Sequence, residues 1–271
     1  MRRRLDAELV RRGLARSREH ASQLIDEGLV SMRGIVLTKP ATQVQEADPL
    51  NLAEQAANQW VSRGAFKLIG ALEAFPAVRV EGSRALDAGA STGGFTQVLL
   101  ANGAESVIAV DVGYGQLAWE LRNDERVRVL ERVNVRSLTP DQLPYSPNLL
   151  VADLSFISLR TVLPALVACA APDAHFLLMV KPQFEVGRER VGNGVVTDLG
   201  LRAQAVADVA HSAQTNGLRV MGVAASPLPG PKGNVEFFLW LATPGAVEVG
   251  PELTESTLAA RIEAVVAENA P

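Results

Sequence analysis

The chain has 271 residues, 48% of them hydrophobic and 21% charged, which allows one large or two unequal cores and excludes disorder. A single cysteine, Cys169, excludes a disulfide scaffold and a multi-cysteine metal site, and His20, His175 and His211 lie too far apart for ligand-like spacing. The net charge of −4 conceals an uneven distribution: residues 1–39 carry nine Lys or Arg against five Asp or Glu, a balance of +4, leaving −8 on the rest. A small basic head on an acidic body is an electrostatic pattern of nucleic-acid binding.

Taken in order, residues 6–12 read as a short helix stopped by Gly13. Ser17 reads as the N-cap of a second helix from Arg18 to Glu27, with Ala21, Leu24 and Ile25 as its apolar stripe and Gly28 as its stop. Leu29-Val30 and Val36-Leu37 suggest short strands around Arg33-Gly34, residues 40–49 are turn-rich, and Leu50–Leu52 suggests a last strand. Residues 53–59 read as a linker before Trp60-Val61, so a boundary is expected near residue 60.

Beyond it, strands and helices alternate. Arg63–Phe75 is helical by spacing. Strands are expected at Arg84–Asp87, Val107–Asp111, Val127–Leu130, Leu149–Asp153, Phe176–Val180, Arg219–Ala224 and Glu236–Leu241, with helices at Gly94–Asn102, Gln116–Asn123, Leu159–Ala170 and Gly200–Asn216. Such alternation predicts an α/β fold, a doubly wound and mostly parallel sheet of the Rossmann-like kind. Thr254–Asn269 reads as a surface helix, Cys169 as a small buried hydrophobe, and Trp119 and Trp240 as core. Two Gly-, Pro- or charge-rich stretches, residues 185–198 and 227–234, read either as mobile walls of a site or as simple exposed loops. The basic start is not followed by an apolar h-region, and apolar runs such as Phe176–Val180 are too short to cross a bilayer, which predicts a soluble, cytoplasmic protein.

The sharpest motif is Asp87-Ala88-Gly89-Ala90-Ser91-Thr92-Gly93-Gly94-Phe95, directly after a strand. Glycines at a strand-to-helix turn let a ligand approach the backbone. Asp111 ends the next strand, placed to hold ribose hydroxyls, and Asn134, beyond the following strand, is counted with the same binding set. Ser91 stands where a dinucleotide fingerprint has its middle glycine, and Asp87 would meet a pyrophosphate badly. A cationic sulfonium nucleoside without phosphate suits the turn better. Asp153 and Lys181 end two later strands, Lys67 precedes the first, and Glu236 opens the last.

Together these motifs resemble the TlyA family of ribosomal RNA 2′-O-methyltransferases, once labelled haemolysins. Residues 1–58 resemble an S4-type RNA-binding domain through RGLARSREHASQLIDEGLVSMRG. Residues 59–62 are read as a linker, and 63–271 resemble the RrmJ/FtsJ-like S-adenosylmethionine-dependent methyltransferases. The resemblance implies a Lys-Asp-Lys-Glu tetrad, matched by Lys67 in SRGAFKL, Asp153 in VADLSF, Lys181 in VKPQFE and Glu236 in GNVEFF. It implies S-adenosylmethionine as cofactor, no metal, and cytidines of 16S and 23S ribosomal RNA, read in the folded subunit, as substrate. The family often writes Arg-x-Trp-Val between its domains; here the segment is Asn58-Gln59-Trp60-Val61.

The chemistry assigns roles. A ribose 2′-hydroxyl is a poor nucleophile and a sulfonium methyl a good electrophile, so the enzyme has to deprotonate and align. Lys181 is the candidate base, with a depressed pKa that burial and Lys67 can supply. Asp153 orients Lys181 near the methyl group, and Glu236 holds Lys67 or the ribose. Arg2, Arg4, Arg16, Arg18 and Lys39 are candidate phosphate contacts, and Phe156, three residues after Asp153, a candidate ring against the target nucleoside or cofactor. Two other readings compete: a nicotinamide-dependent oxidoreductase, disfavoured by Asp87 and Ser91, and a membrane-lytic protein, disfavoured by the lack of an export signal or spanning segment.

Overall fold

A computed structural model describes residues 2–15, 18–26, 28–52, 60–191, 194–246 and 250–270. The chain divides into two compact units, Met1–Gln59 and Trp60–Pro271.

The first unit contains β1 (Arg2–Arg4), α1 (Leu5–Arg11), α2 (Arg18–Asp26), β2 (Val30–Met32), β3 (Ile35–Val36), β4 (Gln43–Gln45) and β5 (Leu50–Leu52). Leu5 and Leu9 lie one turn apart on α1, and Ala21, Leu24 and Ile25 share a face of α2. These faces close on Val30, Val44 and Leu50 to make a small core. β2 is the centre of a three-stranded sheet ordered β3-β2-β5. β1 and β4 pair separately, with Arg3 opposite Val44. Those two strands fall in stretches that read as basic or turn-rich, because each carries at most one apolar side chain. The N-cap expected at Ser17, the helix end at Glu27 and the linker at residues 53–59 lie outside the described residues.

The second unit runs α3 (Gly64–Ala74), β6 (Arg84–Ala88), α4 (Gly94–Ala101), β7 (Ser106–Asp111), α5 (Trp119–Arg122), β8 (Val127–Glu131), β9 (Leu149–Ala152), α6 (Leu159–Cys169), β10 (His175–Val180), α7 (Pro182–Glu185), α8 (Leu199–Thr215), β11 (Arg219–Ala225), β12 (Phe237–Ala242) and α9 (Glu255–Glu268). Seven strands form one sheet ordered β11-β12-β10-β9-β6-β7-β8. The sheet is parallel except for β12, antiparallel to both β10 and β11. β9, β10 and β12 are near-continuous apolar runs because both faces are covered. Side chains of α6, α8 and α9 pack on one face, those of α3 and α4 on the other. Each fully buried phenylalanine, Phe176, Phe237 and Phe238, adds about 2–3 kcal/mol of transfer free energy.

Two consequences of this topology set the site. From β6 the chain moves outward through β7 to β8, then returns to β9 on the other side of β6. The order therefore reverses between β6 and β9, and open α/β sheets bind ligands at the carboxyl ends of such strands. Because β12 runs backwards, its first residue, Phe237, pairs with Val180 at the end of β10. Glu236 and Lys181, each one residue beyond that pair, thus come to the same edge.

One core expectation is corrected. Trp240 is buried against Phe75, with ring centroids 5.6 Å apart, but Trp119 is 74% exposed. The expected helix at Gln116–Asn123 shortens to the single turn of α5, whose buried position is Leu121, while Leu117 is buried in the segment ahead of it.

A lysine and carboxylate cluster at the carboxyl edge of the sheet

The glycine turn between β6 and α4 is held from below. Asp87 is fully buried, and its Oδ2 accepts from the Thr96 backbone N–H at 2.9 Å and the Thr96 hydroxyl at 2.7 Å. The carboxylate thus satisfies a donor in the first turn of α4, where negative charge is favoured. Burial lifts its pKa to about 7, against the opposing pull of the Thr96 hydrogen bonds. Its second oxygen, Oδ1, has no partner in the described structure. Gly89 has a φ of +87°, and a Cβ there would lie 2.8 Å from the Asp153 carbonyl oxygen. Only glycine lets the two strand ends approach this closely.

Above the turn lies a cavity of about 430 Å³. Of the expected binding residues it collects Gly89, Ser91, Asp111, Asn134 and Asp153, and Phe156 stands on its wall. Asp87, Ala90, Thr92, Gly93, Gly94 and Phe95 are not on its surface: they build the turn, and the Phe95 ring stacks on Phe238 at 6.2 Å. Asp111 accepts from Ser91 N–H at 2.8 Å and from Gly113 N–H at 2.7 Å. A carboxylate has about four lone-pair sites, so acceptors remain for a hydroxyl-bearing ligand. The wall thus offers carboxylate acceptors and apolar side chains such as Val112 and Val135, a lining suited to a cationic nucleoside rather than to phosphate.

Beside the cavity, four charged side chains from four separate elements meet. Lys67 of α3 and Glu236 before β12 are 4% and 1% exposed, and Lys67 Nζ lies 2.6 Å from Glu236 Oε2. The same amine is 3.8 Å from Asp153 Oδ2 and from Met179 Sδ. Asp153 Oδ1 in turn lies 2.5 Å from Lys181 Nζ, which also donates to Ser155 Oγ at 3.0 Å. The chain Lys181–Asp153–Lys67–Glu236 alternates in sign, so each charge has an opposite neighbour. Burial works against ionisation of Asp153, yet the charges of Lys181 and then Lys67 outweigh it and hold the carboxyl below its ordinary range. Removing one member of such a buried set strands its partner, at about 3–5 kcal/mol.

Three neighbours escaped the sequence reading. Ser155 meets the Lys181 amine, Gln183 donates to Glu236 Oε1 at 3.3 Å, and Glu185 is buried against the start of α6. Their only signal was adjacency to Asp153 or Lys181 at a strand end. Phe156 is 91% exposed, with φ of +65°, and its ring lies 5.2 Å from that of Phe184. A positive φ in a bulky residue is a strained conformation. The two stretches read as mobile walls are in part fixed: Glu185 and Asn234 are buried, and Asn234 bonds Val196 N–H and the Gly194 carbonyl.

In the first unit, Arg2, Arg4, Arg18 and Lys39 are exposed, and Arg16 lies outside the described residues. Arg4 and Arg18 converge on one buried carboxylate, Asp6, each at 3.0 Å. Glu8 gathers Arg11 at 2.7 Å and Arg12 at 2.9 Å. The Arg4 hydrogen bond outweighs burial at Asp6, as the Arg11 bond does at Glu8, and both acids sit at about 2. Among the described residues no group of three or more His, Cys, Asp or Glu is placed to hold a metal ion, and no helix is long and apolar enough to cross a membrane.

Comparison with known proteins agrees with this architecture. Residues 60–243 match the model of the FtsJ-like methyltransferases, and residues 3–50 that of the S4 domain. The 16S/23S rRNA (cytidine-2′-O)-methyltransferase TlyA of Mycobacterium tuberculosis is 61% identical over 241 residues, 89% of this chain and 90% of that one. Hemolysin A of Brachyspira hyodysenteriae is 34% identical over 236 residues, 86% of this chain and 97% of that one. A solved hemolysin candidate from Streptococcus thermophilus superimposes with a TM-score of 0.76 at 37% identity, over 98% of this chain and 95% of that one. The chain belongs to the FtsJ-like methyltransferase family, among the TlyA-like enzymes that carry an S4 domain ahead of the methyltransferase domain.

Proposed function

We propose that the protein methylates the ribose 2′-hydroxyl of cytidine in 16S and 23S ribosomal RNA, in the cytoplasm, with S-adenosylmethionine as methyl donor. The reading is carried by the meeting of Lys67, Asp153, Lys181 and Glu236 beside the cavity over the glycine turn. It is supported by the 61% identity to an enzyme named for that reaction. Residues 1–58 are assigned to RNA binding, 59–62 to a linker and 63–271 to catalysis.

The cavity fits the donor in size and in chemistry, since its volume lies within the usual range for a cofactor site. Asp111 would hold the ribose hydroxyls, Gly89 and Ser91 the approach to the backbone, and Asn134 the far wall. When bound, the sulfonium supplies a methyl group already activated toward nucleophiles. Lys181, as the neutral amine, takes the proton of the 2′-hydroxyl. Asp153 fixes that amine and stabilises the ammonium it becomes, while Ser155 holds its orientation. Lys67 keeps Asp153 ionised and is itself anchored by Glu236. Proton removal by a positioned group accounts for about 10²–10⁴ in rate, and alignment for much of the rest. Phe156 offers its exposed ring to the target nucleoside. Arg2, Arg4, Arg16, Arg18 and Lys39 contact phosphates, so binding should weaken steeply with salt.

The test is transfer of tritium from methyl-labelled S-adenosylmethionine to ribosomal RNA. Wild-type protein should label the RNA, and Lys181→Ala should not, while binding the cofactor with unchanged affinity. Normal turnover by Lys181→Ala, or nicotinamide-dependent redox activity in place of labelling, would overturn the reading.

A further inference from the structure

Two segments carry the reacting groups: the loop after β9, with Asp153, Ser155 and Phe156, and the turn after β10, with Lys181. They are joined by three successive contacts. Lys181 Nζ meets Asp153 and Ser155, the Phe184 ring meets Phe156, and Glu185 closes the series. Glu185 Oε1 accepts the Leu159 N–H at 2.7 Å, and Oε2 accepts the Ser158 hydroxyl at 2.5 Å. Arg160 returns across the joint to the Glu185 carbonyl oxygen at 3.0 Å. The Glu185 side chain is 1% exposed, and neither of its oxygens is left unpartnered.

We infer that Glu185 is a positioning residue, a buckle that fixes the Lys181 amine and the strained Phe156 ring in one geometry by tying the start of α6 to the turn after β10. The reason lies in the local mechanics. α7 is a single four-residue turn entered through Pro182; it returns one backbone bond to Lys181, from Phe184 N–H to the Lys181 carbonyl at 2.8 Å, and a turn this short is marginal without outside support. The loop from 153 to 158 includes a residue at positive φ that persists only where its surroundings fix it. Glu185 supplies the missing constraint to both, because Ser158 and Leu159 begin an eleven-residue helix packed into the core. Glu185 reaches neither the cavity wall nor the charged cluster, so it acts through Lys181 and Phe156 and not on the substrate.

This inference rests on Lys181 being the base, and the test keeps the two apart. Single-turnover methyl transfer at saturating RNA is compared for wild type, Glu185→Ala, Glu185→Gln and Lys181→Ala, with cofactor affinity measured by calorimetry. Glu185→Ala should lower the rate at least about tenfold per folded molecule, toward the hundredfold cost of a displacement near 1 Å, with cofactor affinity within about twofold of wild type. Glu185→Gln keeps an acceptor for Leu159 N–H and a polar contact to Ser158, and should recover most of the rate. If Glu185→Ala does not fold, Ser158→Ala replaces it, with a rate about threefold lower expected from loss of one hydrogen bond. A wild-type rate in Glu185→Ala, or in Ser158→Ala where it stands in, overturns the buckle, as does a Gln variant as slow as Ala or a parallel loss of cofactor affinity. An active Lys181→Ala overturns the base assignment itself.

Discussion

In the amino-terminal unit Asp6 and Glu8 are buried beneath arginines, Arg4 and Arg18 on the first and Arg3, Arg11 and Arg12 on the second, and both titrate at about 2. In the carboxy-terminal unit Asp87 is buried deeper, bonded to Thr96 with no cation beside it, and titrates at about 7. Burial acts in the same direction at all three; the number of guanidinium groups within reach decides the outcome. Asp6 holds Arg4 and Arg18, and Glu8 holds Arg11, in fixed places at the surface, while Arg12 turns back to the carbonyls of Gln45, Glu46 and Asp48. Asp87 works as a clamp on the glycine turn through its two bonds to Thr96. At Asp153 burial also pushes the carboxyl up, but the flanking charges of Lys181 and Lys67 hold it below its ordinary range. Unevenly spread charge thus serves two purposes that the net figure of −4 does not display.

The comparison can be broken in several places. The largest effect belongs to the cluster: Asp153→Asn should cut methyl transfer about a thousandfold, since Lys181 loses its partner, while tritium transfer near the wild-type rate would refute the role. Asp6→Asn comes next. It should cost the first unit about 2 kcal/mol and weaken RNA binding through the loosening of Arg4 and Arg18, read by hydrogen exchange at residues 5–11 and by a shallower salt dependence of affinity. An unchanged salt slope would mean that Asp6 does not organise the contact surface.

The pH responses should have opposite signs. Asp6 and Glu8 lie below their ordinary 3.8 and 4.5 when folded, so the stability they add is present above those values and lost as pH falls toward about 2. Asp87 lies above its ordinary 3.8, so its contribution is full below that value and is lost as pH rises through about 7. Trp60, Trp119 and Trp240 all belong to the second unit, so tryptophan emission follows its unfolding alone. Between pH 5 and pH 8 (about one unit or more to either side of the Asp87 midpoint), Asp87→Asn should flatten the decline; an identical decline in the variant would reject the assignment. The smallest effect is Trp119→Ala, expected within about 0.5 kcal/mol of wild type, against about 3–5 kcal/mol for Trp240→Ala.

Much of the second unit was readable in the sequence because its strands are apolar runs ended by glycine or acid, as at Leu149–Asp153. The glycine turn and the four charged residues were readable from their motifs. What escaped depends on long-range geometry. The reversal of β12, which brings Glu236 to Lys181, leaves no mark in local periodicity. Trp119 reads as core because its neighbours Leu117 and Leu121 are apolar, yet those two take the buried positions, one ahead of a very short helix and one within it. β1 and β4 pair through backbone groups with one apolar contact, Val44, between them. Asp87 reads as a ligand contact from its place in the motif; only the fold shows Thr96 beneath it. Glu185 falls in a charge-rich stretch that reads as a mobile wall or exposed loop until Ser158 and Leu159 are brought against it.

The central claim is that Lys181, held by Asp153, removes the ribose proton. Ribosomal subunits incubated with the protein and S-adenosylmethionine can be digested to nucleosides and measured by mass spectrometry. The account predicts 2′-O-methylcytidine from wild-type protein and none above background from Lys181→Ala. A methyl group found on the base, or 2′-O-methylcytidine at wild-type yield from Lys181→Ala, would contradict it.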